Sequence, residues 1–361
     1  DPTEGAAAQL LECICELFYA ISNADKQVGV LAPRRFVATL RAANELFNNA
    51  MHQDAHEFLN YLLNEMGETL LARHRAGLEG AGTGTDTGAG AGEGGGTAAT
   101  TAGGVMSSGS DVADSDVPSS FVDSFGSSLE RDEASSSSSS SDGGSGSVSA
   151  INAHLARTRH SFVHELFQGV LANETRCLNC EVVTCKDEAF LDLSLEIAQN
   201  SSLTHCLRNF SSFELMEEKD KFFCASCCSL QEAQKRMRVK NLPRLLALHL
   251  KRFKYDEARG RMAKLAYRVV FPKELRLLND VDGGGGLGVV YDLVAVVVHI
   301  GAGPDHGHYI AVVKSGPLWL LYDDDDVEVI SDDVLASFFG SPRATGGSSE
   351  CGYILMYESR P

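Results

Sequence analysis

Between about Gly77 and Ser149 the chain loses the means to build a core. Gly, Ala, Thr and Ser dominate, Asp and Glu are scattered among them, and serine alone fills Ser135 to Ser141. Ordering a backbone costs roughly 1–2 kcal/mol per residue, and too little apolar side chain is present to offset that. Residues 77–150 therefore read as a disordered Gly/Ser/Ala-rich acidic insertion within a domain. It separates the 361 residues into two parts whose hydrophobic periodicities differ.

The shorter, N-terminal part is helical. Leu10, Leu11, Ile14, Leu17, Phe18 and Ile21 recur at helical spacing, as do Ala55, Phe58, Leu59, Leu62, Leu63 and Met66. Asp54 and Glu57 stand where a capped helix begins. Order resumes near Ser161, and from there the chain reads as strands. Leu246, Leu248 and Leu250 alternate with Ala247, His249 and Lys251, Tyr291 to Ile300 is a largely apolar run, and Gly352 to Tyr357 forms a last strand. Helices first and strands later indicate an α+β fold with segregated elements.

Composition narrows the function. Apolar residues make up 43% of the chain, enough for a substantial core, and no stretch is long enough to span a bilayer. The formal charge is −18; residues 77–150 hold eleven Asp and Glu against one Arg, so ten of those charges lie in the insertion. An acidic protein repels phosphate and suits a basic partner, which speaks against nucleic acid. The one basic stretch, Lys235, Arg236, Arg238, Lys240 and Arg244, reads as the solvent face of a strand. Ten cysteines arranged partly in Cys-x-x-Cys pairs point to metal and a reducing compartment, hence to an intracellular protein of cytoplasm or nucleus.

Two candidate sites stand out. Tyr309 to Val313 and Leu318 to Tyr322 flank the turn signal Ser315-Gly316-Pro317 and form a β-hairpin, with His308 and Asp323 nearly symmetric about Ser315-Gly316 at its open end. A carboxylate beside an imidazole fixes its tautomer and stabilises its charged form, two thirds of a nucleophilic triad. The other reading is a surface histidine near a solvated acidic turn. The second site is the pair of knuckles Cys177-Leu178-Asn179-Cys180 and Cys224-Ala225-Ser226-Cys227. Each spacing lets two sulfurs reach one ion, and two knuckles complete a closed tetrahedral site suited to structural zinc. Redox dithiols or buried thiols are the alternatives, and Cys228 competes with Cys227 as a ligand.

Several blocks resemble the ubiquitin-specific protease family of cysteine deubiquitinases. Gln53-Asp54-Ala55-His56-Glu57-Phe58-Leu59 is similar to its signature helix. Phe167-Gln168-Gly169, Arg176 to Cys180, Lys186-Asp187-Glu188 and Phe190-Leu191-Asp192-Leu193 follow in the family's order. Leu248 to Phe253 resembles its central strand, Gly307-His308-Tyr309 its His box, and Trp319 to Asp324 the end of that box. Gln231-Glu232-Ala233, Tyr267 to Pro272 and Tyr291 to His299 look like a small subgroup activated by WD-repeat partner proteins.

The resemblance implies a papain-like fold of helical thumb (residues 1–76, partial), zinc-bearing β fingers (mainly 161–244) and a β-rich palm with the His box (mainly 245–361). It implies removal of ubiquitin from modified proteins, with ubiquitin's tail threaded between thumb and palm. His308 would be the base, Asp323 its orienter, and Asp324 a candidate to share that task or support the oxyanion. Asp54, Glu57 and Tyr309 are the candidates for the tail, the two acids meeting its arginines. His306 and His52 fall outside the motif positions. Gly301 and Gly303 give the loop before His308 its freedom.

The family's nucleophile lies in a Gly-x-Thr-Cys box at a helix N-terminus, where the thiolate is favoured. These residues contain no such run. Cys13 and Cys15 fall inside an amphipathic helix and are read as packing residues. The expectation is a fragment without its nucleophile segment, inactive alone; the alternative is an inactive ubiquitin-binding scaffold.

Overall fold

A computed structural model describes residues 2–23, 31–49, 51–82, 161–257, 260–277, 288–304, 306–342 and 350–361. Asp1–Ala81 and Gly144–Pro361 form one compact unit, to which the contacts below belong.

Three helices and a short 3-10 turn make the thumb: α1 Pro2–Ser22, α2 Arg34–Ala43, the turn Glu45–Phe47, and α3 Ala55–Gly82. The apolar stripes bring them together. Leu11 and Ile14 pack on Leu63 and Met66, while Leu10, Leu40 and Phe47 form a second cluster. Phe58 sits edge-on to both Phe36 and Phe47, at 6.3 and 5.9 Å. The α1 stripe is buried only in its middle, because Phe18 and Ile21 are exposed. Helix α3 runs through Gly82, past the Gly77 boundary expected from composition. Once a helix is nucleated, each added residue gains one hydrogen bond, so it can run past a boundary drawn from composition. The rest of the predicted disordered insertion lies outside the described residues.

From Ser161 the elements are α4 Phe162–Phe167, β1 Gly169–Cys177, β2 Val183–Phe190, β3 Leu193–Leu195, β4 Ser201–Ser202, α5 Leu203–Phe210 and β5 Glu214–Met216. Next come β6 Phe222–Cys224, β7 Ser229–Gln231, β8 Ala233–Asn241, β9 Leu245–Leu250, β10 Phe253–Asp256 and β11 Arg261–Lys264. The chain finishes with β12 Val269–Val270, β13 Glu274–Leu277, β14 Val289–Ile300, β15 His308–Ser315, β16 Leu318–Asp323, β17 Asp326–Ile330, a 3-10 segment Asp332–Phe339 and β18 Cys351–Ser359.

Two sheets organise these strands. The finger sheet runs β2-β1-β8-β5, and the palm sheet runs β17-β16-β15-β14-β18-β9-β3 with β13 added on β14. β3, although it lies between finger strands in sequence, pairs in parallel with β9 in the palm. The palm core gathers Leu248, Val296, Val312, Trp319 and Leu355. β9 departs from simple alternation, because Leu246 to Leu250 are all buried, His249 included. A strand central in its sheet and covered on both faces buries both side-chain sets.

Beyond β9, Arg252 is a fully buried cation. It donates to the carbonyls of Gly352, Leu265 and Tyr267 at 2.6, 3.1 and 2.9 Å. Burial lowers its pKa, opposed by nearby thiols. Three residues of the basic stretch, Arg236, Arg238 and Lys240, are engaged across strands, whereas Arg244 lies beyond β8 and is mostly exposed. Arg236 and Arg238 both donate to Glu174, at 2.7 and 3.0 Å, and Lys240 to Asp187 at 2.7 Å.

Candidate active site

The hairpin forms, with a different centre. Ser315 pairs with Leu318, and Ala311 with Tyr322, so the two-residue turn is Gly316-Pro317 rather than Ser315-Gly316. Gly316 adopts φ 59°, which a hairpin turn of this length favours in glycine. Carried one pair further, the register sets Ile310 opposite Asp323, leaving His308 as the diagonal neighbour on the same face. The diagonal is close enough: His308 Nε2 and Asp323 Oδ1 are 2.5 Å apart. Both side chains are about half exposed, so the pair opens to solvent or a ligand. Asp324 has φ 53° at the turn into β17, and its carboxylate, Asp323 and the His308 ring lie within 4.8 Å of one another.

The loop before His308 is shaped by two glycines. A Cβ on Gly307 (φ 157°) would meet His299 Nε2 and the Ile300 carbonyl at 2.5 Å, and one on Gly301 (φ 135°) would meet Gly307 at 2.9 Å. Gly303 has no such constraint, since only the His306 ring approaches it, at 3.3 Å. The backbone requirement thus falls on Gly301 and Gly307 rather than on Gly301 and Gly303. Lys264 anchors the loop's entry, donating to the His299 and Gly301 carbonyls at 2.9 Å each.

Opposite this loop stands the N-terminus of α3. One Asp54 oxygen accepts the His56 and Glu57 amides at 2.7 and 3.2 Å, a side-chain cap. The other accepts the Tyr353 hydroxyl at 2.5 Å. Tyr309 accepts the Ala55 amide at 3.4 Å and stacks on His52. Asp54 is thus occupied by the protein itself, whereas Glu57 is exposed. Both line a cleft of about 390 Å³, shared with His52, His249, Lys251 and Phe253.

Behind the cleft, a polar stack joins thumb to palm. His56 Nε2 meets Asp192 Oδ2 at 2.7 Å, and its ring lies 3.7 Å from that of His249. His249 Nδ1 meets Ser194 Oγ at 2.9 Å. Burial, then the neighbouring His56, lowers His249 to about 3, and burial lowers His299 to about 4. Both rings are therefore neutral at physiological pH. The signal that marks His249 in the sequence is an imidazole flanked by leucines on an apolar strand.

In the fingers, the Sγ atoms of Cys177, Cys180, Cys224 and Cys227 all lie within 4.8 Å of one another. Cys180–Cys224 and Cys177–Cys227 separations of 3.5 and 4.0 Å bracket the edge of roughly 3.8 Å that Zn–S bonds of ~2.3 Å give in a tetrahedron. The four residues fit zinc. Cys228 stands apart, exposed, with its thiol on the Ala225 carbonyl. Cys13 is buried against Thr39, and burial foremost raises the Cys15 thiol. Of the two histidines set outside the motif positions, His52 stacks on Tyr309, and His306 is exposed.

A palm that presents a His–carboxylate pair, a helical thumb and cysteine-knuckled fingers together define the papain-like class of cysteine hydrolases. The chain belongs to the ubiquitin carboxyl-terminal hydrolase family, whose profile matches residues 1–357, and its type is a cysteine deubiquitinase. It is 46% identical over 359 residues to ubiquitin carboxyl-terminal hydrolase 4 of Arabidopsis thaliana, covering 98% of this chain and 82% of that one. Identity is 44% over 351 residues with ubiquitin carboxyl-terminal hydrolase 12 of Salmo salar, covering 97% and 78%. Among solved structures, the fold is similar to a chain of the SAGA DUB module of Ubp8, Sgf11, Sus1 and Sgf73 bound to monoubiquitin, with TM-score 0.58 and 22% identity over 91% of this chain. A second such module, with a truncated Sgf11, gives TM-score 0.60 at 22% identity over 98% of this chain. This chain spans 53% and 60% of those two chains. Among the described residues, no helix is long and apolar enough to cross a membrane.

Proposed function

We propose that these residues form the acid–base half and the ubiquitin-holding frame of an isopeptidase that releases ubiquitin from lysine side chains of modified proteins. The observation that carries this reading is the His308–Asp323 pair at 2.5 Å, at the end of the hairpin. Asp323 accepts from Nε2, which leaves Nδ1 as the basic atom. His308 takes the proton of a cysteine thiol through Nδ1, and the thiolate attacks the carbonyl carbon of ubiquitin's last glycine. The C–N bond breaks, and His308 returns the proton to the departing lysine amine. Water then cleaves the thioester, with His308 again the base. Asp324, beside the pair, is the candidate to share the orienting task or to support the oxyanion.

The cleft receives ubiquitin's arginine-bearing tail. Glu57, exposed on its lip, meets an arginine directly, while Asp54 contributes charge from its capped position. Tyr353 lines the cleft, and Tyr309 packs beside it and on His52. Cys177, Cys180, Cys224 and Cys227 would hold zinc, which would tie the finger knuckles together and take no part in the chemistry, since four thiolates leave no open position. WD-repeat proteins are the expected class of activator, and the protein works inside the cell.

The nucleophile is not among these 361 residues, which contain no Gly-x-Thr-Cys run. The chain as given should bind ubiquitin, measured by calorimetry, without turning over a fluorogenic ubiquitin substrate. Joined to a family segment that carries the box, it should turn the substrate over, and His308→Ala should abolish that activity. Turnover by the given chain, or undiminished activity of the His308→Ala fusion, contradicts the reading; binding without turnover in the fusion supports the scaffold instead.

A further inference from the structure

The palm sheet ends in an open strand beside the His308–Asp323 pair. β17 pairs with β16 from Asp323↔Asp326 to Trp319↔Ile330, and among the described residues it has no partner on its other side. The strand is uncovered: Val327 and Val329 are 53% and 65% exposed, and Tyr322, directly across from Val327, is 38% exposed. A bare edge is usually blunted, because its free amides and carbonyls template another strand.

Alternation sorts its side chains. Ile330 lies on the core side with Trp319, so Glu328 and Asp326 share that face with Leu321 and Asp323, and hence with His308. Val327 and Val329 share the other face with Tyr322 and Leu320. The two-residue turn Asp324-Asp325 makes Asp323 and Asp326 the hydrogen-bonded closing pair. Bonding then alternates along β17, which directs the N–H and C=O groups of Val327 and Val329 outward. Asp324, Asp325, Asp326 and Glu328 are all exposed.

We propose that this edge docks the ubiquitinated protein by strand addition, and that it selects an extended segment in which basic and apolar residues alternate. The basic residues would lie over Asp326 and Glu328, on the face of the His308 pair, and the apolar ones over Val327 and Val329. Strands lie ~4.8 Å apart, so a strand added to β17 runs roughly 14 Å from β15. About four extended residues span that distance, which puts the lysine bearing ubiquitin just beyond the paired segment, where the chain leaves towards His308. The inference rests on the isopeptidase reading, because it names that reaction's leaving-group side.

The test uses the 361-residue chain and a fluorescein-labelled peptide of roughly ten residues with lysine and valine alternating, a length that spans an ordinary strand. Anisotropy should show binding that Val329→Pro or Val327→Pro weakens at least ~10-fold by removing an outward donor. Glu328→Lys should weaken it similarly at low salt and less at high salt. Glu328→Lys leaves the backbone untouched, so it decides the matter should a proline variant misfold. A peptide of the same composition in two blocks, lysines then valines, should bind poorly. Equal binding by the blocked peptide, or by both proline variants in folded form, overturns the proposal. Ubiquitin binding is measured alongside: its retention while the peptide fails sinks only the docking edge, whereas its loss in the unmodified chain sinks the isopeptidase reading.

Discussion

The palm and the finger sheets are both largely antiparallel, and their interiors differ. In the palm, Leu248, Val296 and Leu355 are completely buried, and the buried cation Arg252 is met by backbone carbonyls. In the fingers, the β2 residues are exposed or half-buried, and only the Asp187 side chain is enclosed, against Lys240. What joins its strands is a cross-strand set of charges, Glu174 with Arg236 and Arg238 and Asp187 with Lys240, capped by four converging cysteines. A thin sheet with one wet face cannot gain enough from burial, so it relies on ion pairs and a metal-type knuckle. The difference teaches where each region is vulnerable.

The largest way to break the comparison is at the knuckle. Cys224→Ser, or a strong chelator, should strip hydrogen-exchange protection from β1, β2 and β8 while β14 and β18 keep theirs; a uniform loss would show that the sheets do not differ in this way. Next, Leu248→Ala should cost about 3 kcal/mol in chemical denaturation, because it leaves a cavity in the palm core. Glu174→Ala should follow at roughly 2 kcal/mol, since two partly buried guanidinium groups lose their acceptor. Its effect should be confined to finger amides.

Acid offers a sharper contrast. His249 and His299 are held far below the ordinary histidine pKa in the folded palm. The unfolded chain therefore binds protons that the folded one refuses, and stability should be full above pH ~6.5 and decline as pH falls towards 4. The loss between pH 7 and 5.5 should be about 1 kcal/mol per ring, and His249→Phe should flatten the slope. The smallest effect on stability belongs to the site. Asp323→Asn should change unfolding by less than ~0.5 kcal/mol, the pair being exposed, yet should cripple turnover in the nucleophile-bearing fusion.

Much of this was legible along the chain. The helical spacing of Leu10, Leu11 and Ile14, the cap at Asp54, the apolar run of β14 and the Cys-x-x-Cys spacings are local signals, and local physics decides them. His249 was not legible as a buried residue, because alternation places it on a polar face and only the covering of β9 on both sides buries it. His56 and Asp192 lie far apart in sequence and meet only across the thumb–palm junction. The turn centre was displaced by one residue, because Ser315, Gly316 and Pro317 all favour turns and the pairing of Ser315 with Leu318 chooses among them.

Residue order by itself determined the main helical and strand stripes, the two Cys-x-x-Cys knuckles, and which histidine precedes the hairpin. Those outcomes depend on side chains a few positions apart. Tertiary structure alone decided that His308 and Asp323 meet on a diagonal, that Asp54 is held by Tyr353, and that β17, among the described residues, pairs on one side only. Each of these needs partners from distant parts of the chain, whose register and burial are set by packing rather than by local preference.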